Sequence, residues 1–505
     1  MSPDALDGYT GSKSACLHDL PPGASRAAMD DPPILPPNTL REGALGTGAI
    51  TFFVVSAAGP LVAIAGGIPL GMMFGNGPGI PAAYLIVCAV LLAFSVGYTA
   101  MASYVRNAGA FYAFAAQGLG PLAGGAAAMI AIVAYNTMQI GIYGMFGQAT
   151  AALLAGAGIH LPWWLAAYAA MAFIAVCGYR QIDISAKILG VLVVGEYLCV
   201  LALDGFILVK GGDSGVTAAP FLPAAFMVGS PAIGLLFCFA SFIGFEATTI
   251  YAEEAKDPRR SVPLATYASV ILIGGFYAFT TWCMVVGVGG DKVIASIKAL
   301  ADPTQLLFLL SDRYAAPGLT LALRLLFVTS VFAGLLAFHN AVARYFYALG
   351  RDGLLPRRLG STHPAHRSPH LGSVAQSILA FVVVTAFALG RADPLLTLFS
   401  WLTNVGTLGV LALMALASFA VPAFFRRNPA FRESILTTTV LPIAAGIGLV
   451  GAMGLAVLNF GLLTGASTTL AVALPMLLVV AAVGGVVLAL RRKRPSAGAA
   501  QAAET

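Results

Sequence analysis

Two interruptions in long apolar segments bring the chain's polar backbone and its carboxylates to one depth. The first is Ser56-Ala57-Ala58-Gly59-Pro60, and the second is Ser241-Phe242-Ile243-Gly244, followed closely by Glu246. An unwound helix exposes N–H and C=O groups, which are tolerated at membrane depth only where they line a cavity or are buried in protein. The two stretches therefore predict a ligand site built largely from backbone.

The first interruption is suited to an anionic group. Pro60 lacks an N–H and presets φ, so it favours the start of a half-helix over about 60–73. The free amides and dipole at that N-terminus favour a carboxylate. The small residues before it let a ligand approach the backbone; they are Ser56, Ala57, Ala58 and Gly59. A proline kink made for packing alone is the simpler alternative, but the matching second interruption favours binding.

The second interruption is suited to a cation. Carbonyl groups freed around Ala240, Ser241 and Phe242 would accept hydrogen bonds from an ammonium group, and Gly244 permits the turn. Phe242 or Phe245 would close the site as an aromatic lid. A carboxylate at one break and an ammonium at the other match an α-amino acid. Its side chain would project among groups that serve equally well in helix packing, namely Tyr135, Asn136, Gln139, Phe332, Trp401 and Asn404.

Ionisable side chains within apolar segments are functional candidates by default. Glu246 follows the second break, where a carboxylate can cap free amides. Glu196 has no evident capping role, and burial disfavours the charged form of a carboxyl group, so it is the candidate for binding and releasing a proton. Both are predicted coupling residues. Arg324 also lies in a span, and Asp204 is predicted to lie near a wet outer end.

Composition defines the class of protein. Of the 505 residues, 59% are hydrophobic and only 10% are charged, with a mean hydropathy of +0.88. Soluble domains carry about 25% charged residues, so the chain is predicted to be an all-α polytopic membrane protein. The net charge of +6 is explained without a nucleic acid partner, and we expect none. We find no nucleotide-binding loop, catalytic triad spacing or metal-ligand cluster, and expect no cofactor and no metal.

Twelve apolar spans are long enough to cross a bilayer. They lie at about 46–73, 79–105, 121–150, 161–179, 186–209, 230–252, 264–289, 317–343, 371–390, 395–421, 437–460 and 467–490. The two interruptions fall in spans 1 and 6, which indicates an inverted repeat of spans 1–5 and 6–10. The predicted layout is a disordered cytoplasmic tail (1–45), a transporter core (46–430), two further spans (431–490) and a basic cytoplasmic tail (491–505).

The positive charges predict the orientation. With both termini inside, cytoplasmic segments hold 21 of the 27 Lys and Arg residues and external loops hold 5. Cytoplasmic loops of membrane proteins carry such an excess. The chain is therefore expected to be a multi-pass protein of the cytoplasmic (inner) membrane with both termini cytoplasmic.

Three sequence motifs are distinctive. They are Phe242-Ile243-Gly244-Phe245-Glu246 with Tyr251-Ala252-Glu253-Glu254-Ala255-Lys256-Asp257-Pro258-Arg259-Arg260-Ser261-Val262-Pro263; Ala343-Arg344-Tyr345-Phe346-Tyr347-Ala348-Leu349-Gly350-Arg351-Asp352-Gly353-Leu354-Leu355-Pro356; and Gly109-Ala110-Phe111-Tyr112 with Gly120-Pro121-Leu122-Ala123-Gly124. Together they resemble the amino acid–polyamine–organocation (APC) family over roughly residues 45–430. The resemblance implies the LeuT-type five-plus-five fold and secondary transport of amino acids or related amines.

The chain departs from that family pattern in two places. Ala57-Ala58-Gly59-Pro60 stands where many members have Gly-Ser-Gly-Ile, and Glu196 stands where proton-coupled relatives often carry lysine. We expect an amino acid permease that works by alternating access and is driven by a proton gradient. The alternatives are a polyamine or organocation carrier, an exchanger and, remotely, an intramembrane sensor or enzyme. Thr329 and Ser330 leave sodium coupling open, because their hydroxyls could ligate a cation.

Overall fold

The computed structural model describes residues 46–105, 110–180, 186–246, 248–249, 255–364, 366, 368–431, 433–465 and 468–492. Its regular elements are helices, as expected for a chain whose backbone polar groups must be satisfied inside a bilayer. The α-helices are α1 Thr47–Ala57, α2 Ile68–Phe74, α3 Ile80–Ala102, α4 Ala110–Leu119, α5 Pro121–Ala155, α6 Trp163–Arg180, α7 Ala186–Lys210, α8 Pro223–Phe226, α9 Pro231–Phe242, α10 Pro258–Val288, α11 Val293–Lys298, α12 Leu306–Tyr314, α13 Pro317–Arg351, α14 His370–Leu389, α15 Ser400–Arg427, α16 Leu441–Leu458, α17 Phe460–Thr464 and α18 Thr468–Arg492.

Within these described ranges, nine helical segments are long and apolar enough to cross a membrane. They correspond to all or most of α3, α5, α7, α10, α13, α14, α15, α16 and α18. Predicted spans 1 and 6 are divided into shorter helices, and predicted span 4 corresponds to α6, Trp163–Arg180, which is not among the nine. The count of twelve therefore stays a prediction, whereas the all-helical membrane architecture is confirmed.

Several predicted boundaries move. The sixth span, predicted to run to 252, loses its α-helix at Phe242. The seventh begins at Pro258, before the predicted 264, and the eighth continues past 343 to Arg351. These extensions carry charged residues, because a helix that has left the hydrocarbon region no longer needs apolar side chains.

Two groups of helices surround the interruptions. In one, α10 packs against α1, α3 and α7. In the other, α5 packs against α4, α6, α13, α15 and α18. The helix α13 also contacts α7 and α14, so it joins the two groups. Large apolar side chains on the outer faces, such as Val191 and Val480, are exposed, as expected for residues that face lipid.

The predicted tails fall largely outside the described residues. The described residues belong to one compact unit, and the predicted disordered tail, 1–45, is not described. Of the predicted basic tail, 491–505, only Arg491 and Arg492 are described, and they end α18.

Candidate functional site

The first predicted break is present. The helix α1 ends at Ala57, and the chain turns at Ala58 and Gly59 before becoming helical again at Pro60. Gly59 has φ +54°, a left-handed conformation that favours glycine. A π-helical turn, Val62–Gly67, then leads directly into α2. The side chains of Ser56 and Ala57 lie outside the described part.

Glu196 of α7 lies against this break. Its Oε2 accepts a 3.3 Å hydrogen bond from the Leu61 backbone amide and a 2.8 Å bond from the Ser330 hydroxyl of α13. The side chain is only 1% exposed. Glu196 was predicted to have no capping role. That prediction was wrong, because the carboxylate accepts from an amide that is distant in the sequence. The half-helix that begins at Pro60 was predicted to offer its free amides to a substrate carboxylate. One of these amides, that of Leu61, is instead bonded to Glu196.

The second predicted break is also present. The helix α9 ends at Phe242, and Gly244 has φ +116°. Glu246 folds back on this turn. Its Oε2 accepts a 2.8 Å bond from the Gly244 amide, and its Oε1 accepts a 2.5 Å bond from the Tyr135 hydroxyl of α5. Both oxygens are therefore engaged in a carboxylate that is 3% exposed.

Two tyrosines connect the breaks. The Tyr277 hydroxyl of α10 donates a 3.4 Å bond to the Ala58 carbonyl, and its ring meets the Phe242 ring edge-on at 6.4 Å. The Tyr84 hydroxyl of α3 lies 2.7 Å from Ser241 Oγ, and the rings of Tyr84 and Tyr277 are 5.3 Å apart. The breaks are therefore held by one aromatic cluster, which the sequence did not indicate.

Two predicted ligand groups at the second break are already bonded. The Ala240 carbonyl accepts a 3.2 Å bond from the Ile243 amide, because the last turn of α9 tightens as it ends. The Ser241 hydroxyl donates to the Phe237 carbonyl at 3.0 Å in addition to its contact with Tyr84. The prediction that the Ala240 carbonyl is freed was therefore wrong. The rings of Phe242 and Phe245, proposed as lids, are fully buried.

The further lining candidates lie among the packed helices. Asn136 and Asn404 each donate to a carbonyl one turn earlier in their own helix, at 2.6 Å, and each keeps a buried Oδ1 that has no partner in the described part of the chain. Phe332 packs on other aromatic rings, 6.0 Å from that of Phe146. The Trp401 ring lies 6.3 Å from that of Phe387. These contacts place the four side chains in helix packing.

The remaining polar residues singled out in the sequence lie in different environments. Arg324 donates to Gln305 Oε1 at 2.9 Å and lies 4.5 Å from the Phe308 ring centroid. Asp204, expected to be wet, is 1% exposed, because α10 covers it and donates from Thr280 at 2.7 Å. Thr329 is exposed and bonded to its own helix, so it does not reach the first break.

The structure contains a buried polar cluster that the sequence analysis did not predict. His339 of α13 lies 3.3 Å from Gln139 Nε2 and 2.7 Å from Ser373 Oγ, and Gln376 donates to the Gln139 side-chain oxygen. A Cβ on Gly178 would lie 2.5 Å from His339 Nε2. The predicted ligand contact Gln139 is therefore committed to this cluster. A histidine inside an apolar span was the available signal.

A cavity of about 670 Å³ opens where α3, α13 and α15 end. Tyr112 and Asp352 lie on its wall, joined by a 2.6 Å hydrogen bond. No residue of either break lines this cavity, so it is separate from the candidate site.

Comparison with known proteins identifies the fold. The crystal structure of the Eremococcus coleocola manganese transporter in complex with an aromatic bis-isothiourea substituted compound aligns with a TM-score of 0.57 at 11% identity. The alignment covers 91% of this chain and 100% of that one. At this identity the likeness shows the fold alone, which is the LeuT-type transporter fold.

Sequence relatives identify the family. The "Branched-chain amino acid permease BcaP" of Bacillus subtilis is 26% identical over 445 residues, covering 83% of this chain and 87% of the relative. The "Low-affinity putrescine importer PlaP" of Escherichia coli K12 is 25% identical over 345 residues, covering 64% and 71%. The family profile described as "Amino acid permease" matches residues 45–487. The chain therefore belongs to the amino acid permease family of the APC group, and is a multi-pass secondary transporter and not an enzyme.

Proposed function

We propose that this chain carries a neutral α-amino acid with an apolar side chain across the cytoplasmic membrane by alternating access, together with a proton. The observation that carries this proposal is the position of Glu196. The buried carboxylate accepts hydrogen bonds from the Leu61 amide, just after the first break, and from the Ser330 hydroxyl of α13. Its protonation state would alter the contacts of that break.

The proposed substrate site lies between the two breaks. The carboxylate of the amino acid would bind near Ala58 and Gly59, and its ammonium group near Gly244. Ser56 and Ala57, Tyr135, and the two rings Phe242 and Phe245 complete the proposed surroundings. Support comes from the left-handed glycine in each break and from the aromatic cluster that joins them.

The occupied carboxylates favour a neutral substrate. Glu246 is bonded through both oxygens, and Glu196 through two donors. A polyamine would need a carboxylate free to pair with its second ammonium. A relative named as a branched-chain amino acid permease also supports a neutral substrate, since the alignment covers 87% of that relative. A putrescine carrier, the activity named for the other relative, is the second candidate.

We assign Glu246 a positioning role, and we assign Glu196 the role of binding and releasing the coupled proton. Glu246 accepts from the Gly244 amide of its own turn, which fixes the break. Glu196 instead joins three elements, α7, α13 and the chain after Gly59, so a change in its charge reaches all three. Proton binding there is a proposal that rests on this geometry and on the cost of an unpaired charge at membrane depth.

The proposed topology follows from charge. Both termini would be cytoplasmic, with twelve spans comprising ten in the core (46–430) and two beyond it (431–490). Four helices have arginine at their C-terminal ends: α6 has Arg180, α13 has Arg351, α15 has Arg426 and Arg427, and α18 has Arg491. These ends would face the cytoplasm.

Uptake into proteoliposomes tests the substrate. Competition with the twenty amino acids and putrescine would be measured with and without an inward proton gradient. We expect leucine, isoleucine and valine to compete, and the gradient to stimulate uptake. Competition by putrescine alone would establish the polyamine carrier, and uptake only into vesicles preloaded with amino acid would establish an exchanger.

A further inference from the structure

The helix α7 carries a second buried carboxylate that the proposed mechanism does not use. Asp204 follows Glu196 by eight residues, and both side chains are 1% exposed. That spacing keeps both on one broad stripe of the helix, separated by ~12 Å along its axis. Two acidic groups buried in one membrane helix are rare, because each is costly there as an anion.

Among the described residues, Asp204 has hydrogen bonds but no counter-ion. The Thr280 hydroxyl of α10 donates to its Oδ2 at 2.7 Å, and Cys283 lies beside the same carboxyl. In the described part of the chain, no Lys, Arg or His side chain pairs with it.

Two cations on neighbouring helices have other partners. Arg313 of α12 pairs with Asp213 at 2.6 Å, and Arg324 of α13 donates to Gln305. The Ser330 hydroxyl of α13 is bonded to Glu196, so it does not serve Asp204. An isolated carboxylate without such a partner is stabilised by holding a proton.

Two tyrosine hydroxyls lie near Glu196 at the interface of α7 and α10. Tyr277 lies one turn before Thr280 on α10 and donates to the Ala58 carbonyl at the first break. Tyr197 follows Glu196 in the chain, its hydroxyl is buried without a hydrogen-bond partner among the described residues, and its ring centroid lies 4.3 Å from that of Phe276. Hydroxyls both donate and accept, so they can pass a proton where an apolar contact cannot.

We propose that Asp204 is a second proton-carrying residue, in series with Glu196 along the interface of α7 and α10. This inference rests on the proposed proton coupling. The Asp204 carboxylate takes a proton from a hydronium ion in the water at the end of α7 near Lys210. When α7 and α10 separate, entering water and the hydroxyls of Tyr277 and Tyr197 relay a proton to the Glu196 carboxylate, each accepting one proton and releasing its own. Asp204 returns to its anionic form, Glu196 becomes neutral, and each relaying group ends with as many O–H bonds as it had.

A barrier to continuous leakage is present. Ile207 and Leu310 are almost fully buried on the far side of Asp204, and both contact the position where a Cβ on Gly287 would lie, at 3.4 and 2.9 Å. These apolar side chains separate the carboxyl from the surface ion pairs of Asp213. Water would therefore reach Asp204 only when α7 and α10 separate during the transport cycle.

The test compares Asp204→Asn with Asp204→Glu in proteoliposomes. Asparagine keeps an acceptor for Thr280 but cannot titrate, whereas glutamate restores a carboxyl. A lumenal pH dye reports protons moved, radiolabel reports substrate, and counterflow reports exchange without net proton movement. We expect Asp204→Asn to lower protons moved per substrate at least fivefold more than it lowers exchange, with substantial rescue by glutamate. Thr281→Val is the control, because that hydroxyl bonds only to its own helix.

Three results would overturn the inference. Normal proton movement in Asp204→Asn would remove the residue from the pathway. Equal loss of proton movement and exchange, without rescue by glutamate, would make Asp204 a packing contact. Absence of substrate-dependent proton movement in the unaltered protein would remove proton coupling itself, and that outcome is recognised before any variant is compared.

Discussion

The Ser330 hydroxyl donates a 2.8 Å hydrogen bond to the Glu196 carboxylate, joining α13 to α7 beside the first helix break. The same oxygen accepts from the Leu61 amide. One buried atom therefore receives donors from two other parts of the chain. Alternating access requires the broken helices to move relative to their surroundings. A group whose charge can change at this junction is suited to link that movement to an ion.

The two left-handed glycines should tolerate no side chain. At Gly59 and Gly244 an L-residue costs about 1–2 kcal/mol of backbone strain, and at Gly59 a Cβ would also lie 3.0 Å from Val62 Cγ2. We expect Gly59→Ala and Gly244→Ala each to reduce uptake about tenfold or more, while insertion continues. Radiolabel uptake, normalised to the amount of folded protein, is the measurement.

Matched glycines provide the control for these variants. A Cβ on Gly67 or Gly275 would meet no atom within 4 Å. Gly67→Ala and Gly275→Ala should therefore transport nearly as well as the unaltered protein. Normal uptake in the Gly59 and Gly244 variants would contradict a site that depends on the broken backbone.

The Tyr135 hydroxyl should be required for a functional second break. Tyr135→Phe removes the 2.5 Å bond to Glu246 and leaves one carboxylate oxygen buried without that donor. Such a loss costs about 1–3 kcal/mol, so we expect uptake to fall about tenfold. Tyr143→Phe is the control on the same helix, since its hydroxyl has only a 3.5 Å contact with Gln139. Equal uptake by both variants would show that Glu246 does not need Tyr135.

The His339 cluster should limit the size of residue 178. In Gly178→Ala the new Cβ would lie 2.5 Å from His339 Nε2 and 2.6 Å from Ser373 Oγ. We expect overpacking to destabilise the protein by about 1–3 kcal/mol, seen as a lower Tm in detergent. Gly205→Ala, which meets no atom within 4 Å, should leave the Tm nearly unchanged. A Tm that is the same for both variants would mean that the cluster is loosely packed.

The surface ion pairs should show a defined pH dependence. Hydrogen bonds from Lys292 and Arg313 hold the pKa of the Asp213 carboxyl below its usual range. Because folding lowers this pKa, the stabilisation is present above the unfolded value of about 3.9 and is lost as the pH falls through the folded value.

The corresponding variant is Asp213→Asn. Its Tm should be lower than that of the unaltered protein by less than about 2 °C at pH 7. The difference should shrink in high salt and as the pH falls below 3.9. Asp291→Asn, which removes a carboxylate without an ion pair in the described residues, should lack this pattern. A difference that persists at low pH would exclude the ion pairs as its cause.

The positions of the breaks could be predicted from sequence because their causes are local. Gly59 before Pro60, and Gly244 within an apolar run, identify where a helix must stop. The partner of Glu196 could not be predicted, since Leu61 and Ser330 are more than 130 residues away from it in the chain. The same reason explains why Asp204 was expected to be wet. Only the packed arrangement shows that α10 covers it.

The central claim is that Glu196 carries the coupled proton, and substrate-driven proton entry into proteoliposomes tests it most directly. A lumenal pH dye would be read on adding leucine to the unaltered protein, to Glu196→Gln and to the lipid-facing control Val194→Ala, which is 48% exposed. The account predicts acidification with the unaltered protein and the control, and its loss in Glu196→Gln, which retains exchange. Undiminished acidification in Glu196→Gln would contradict it.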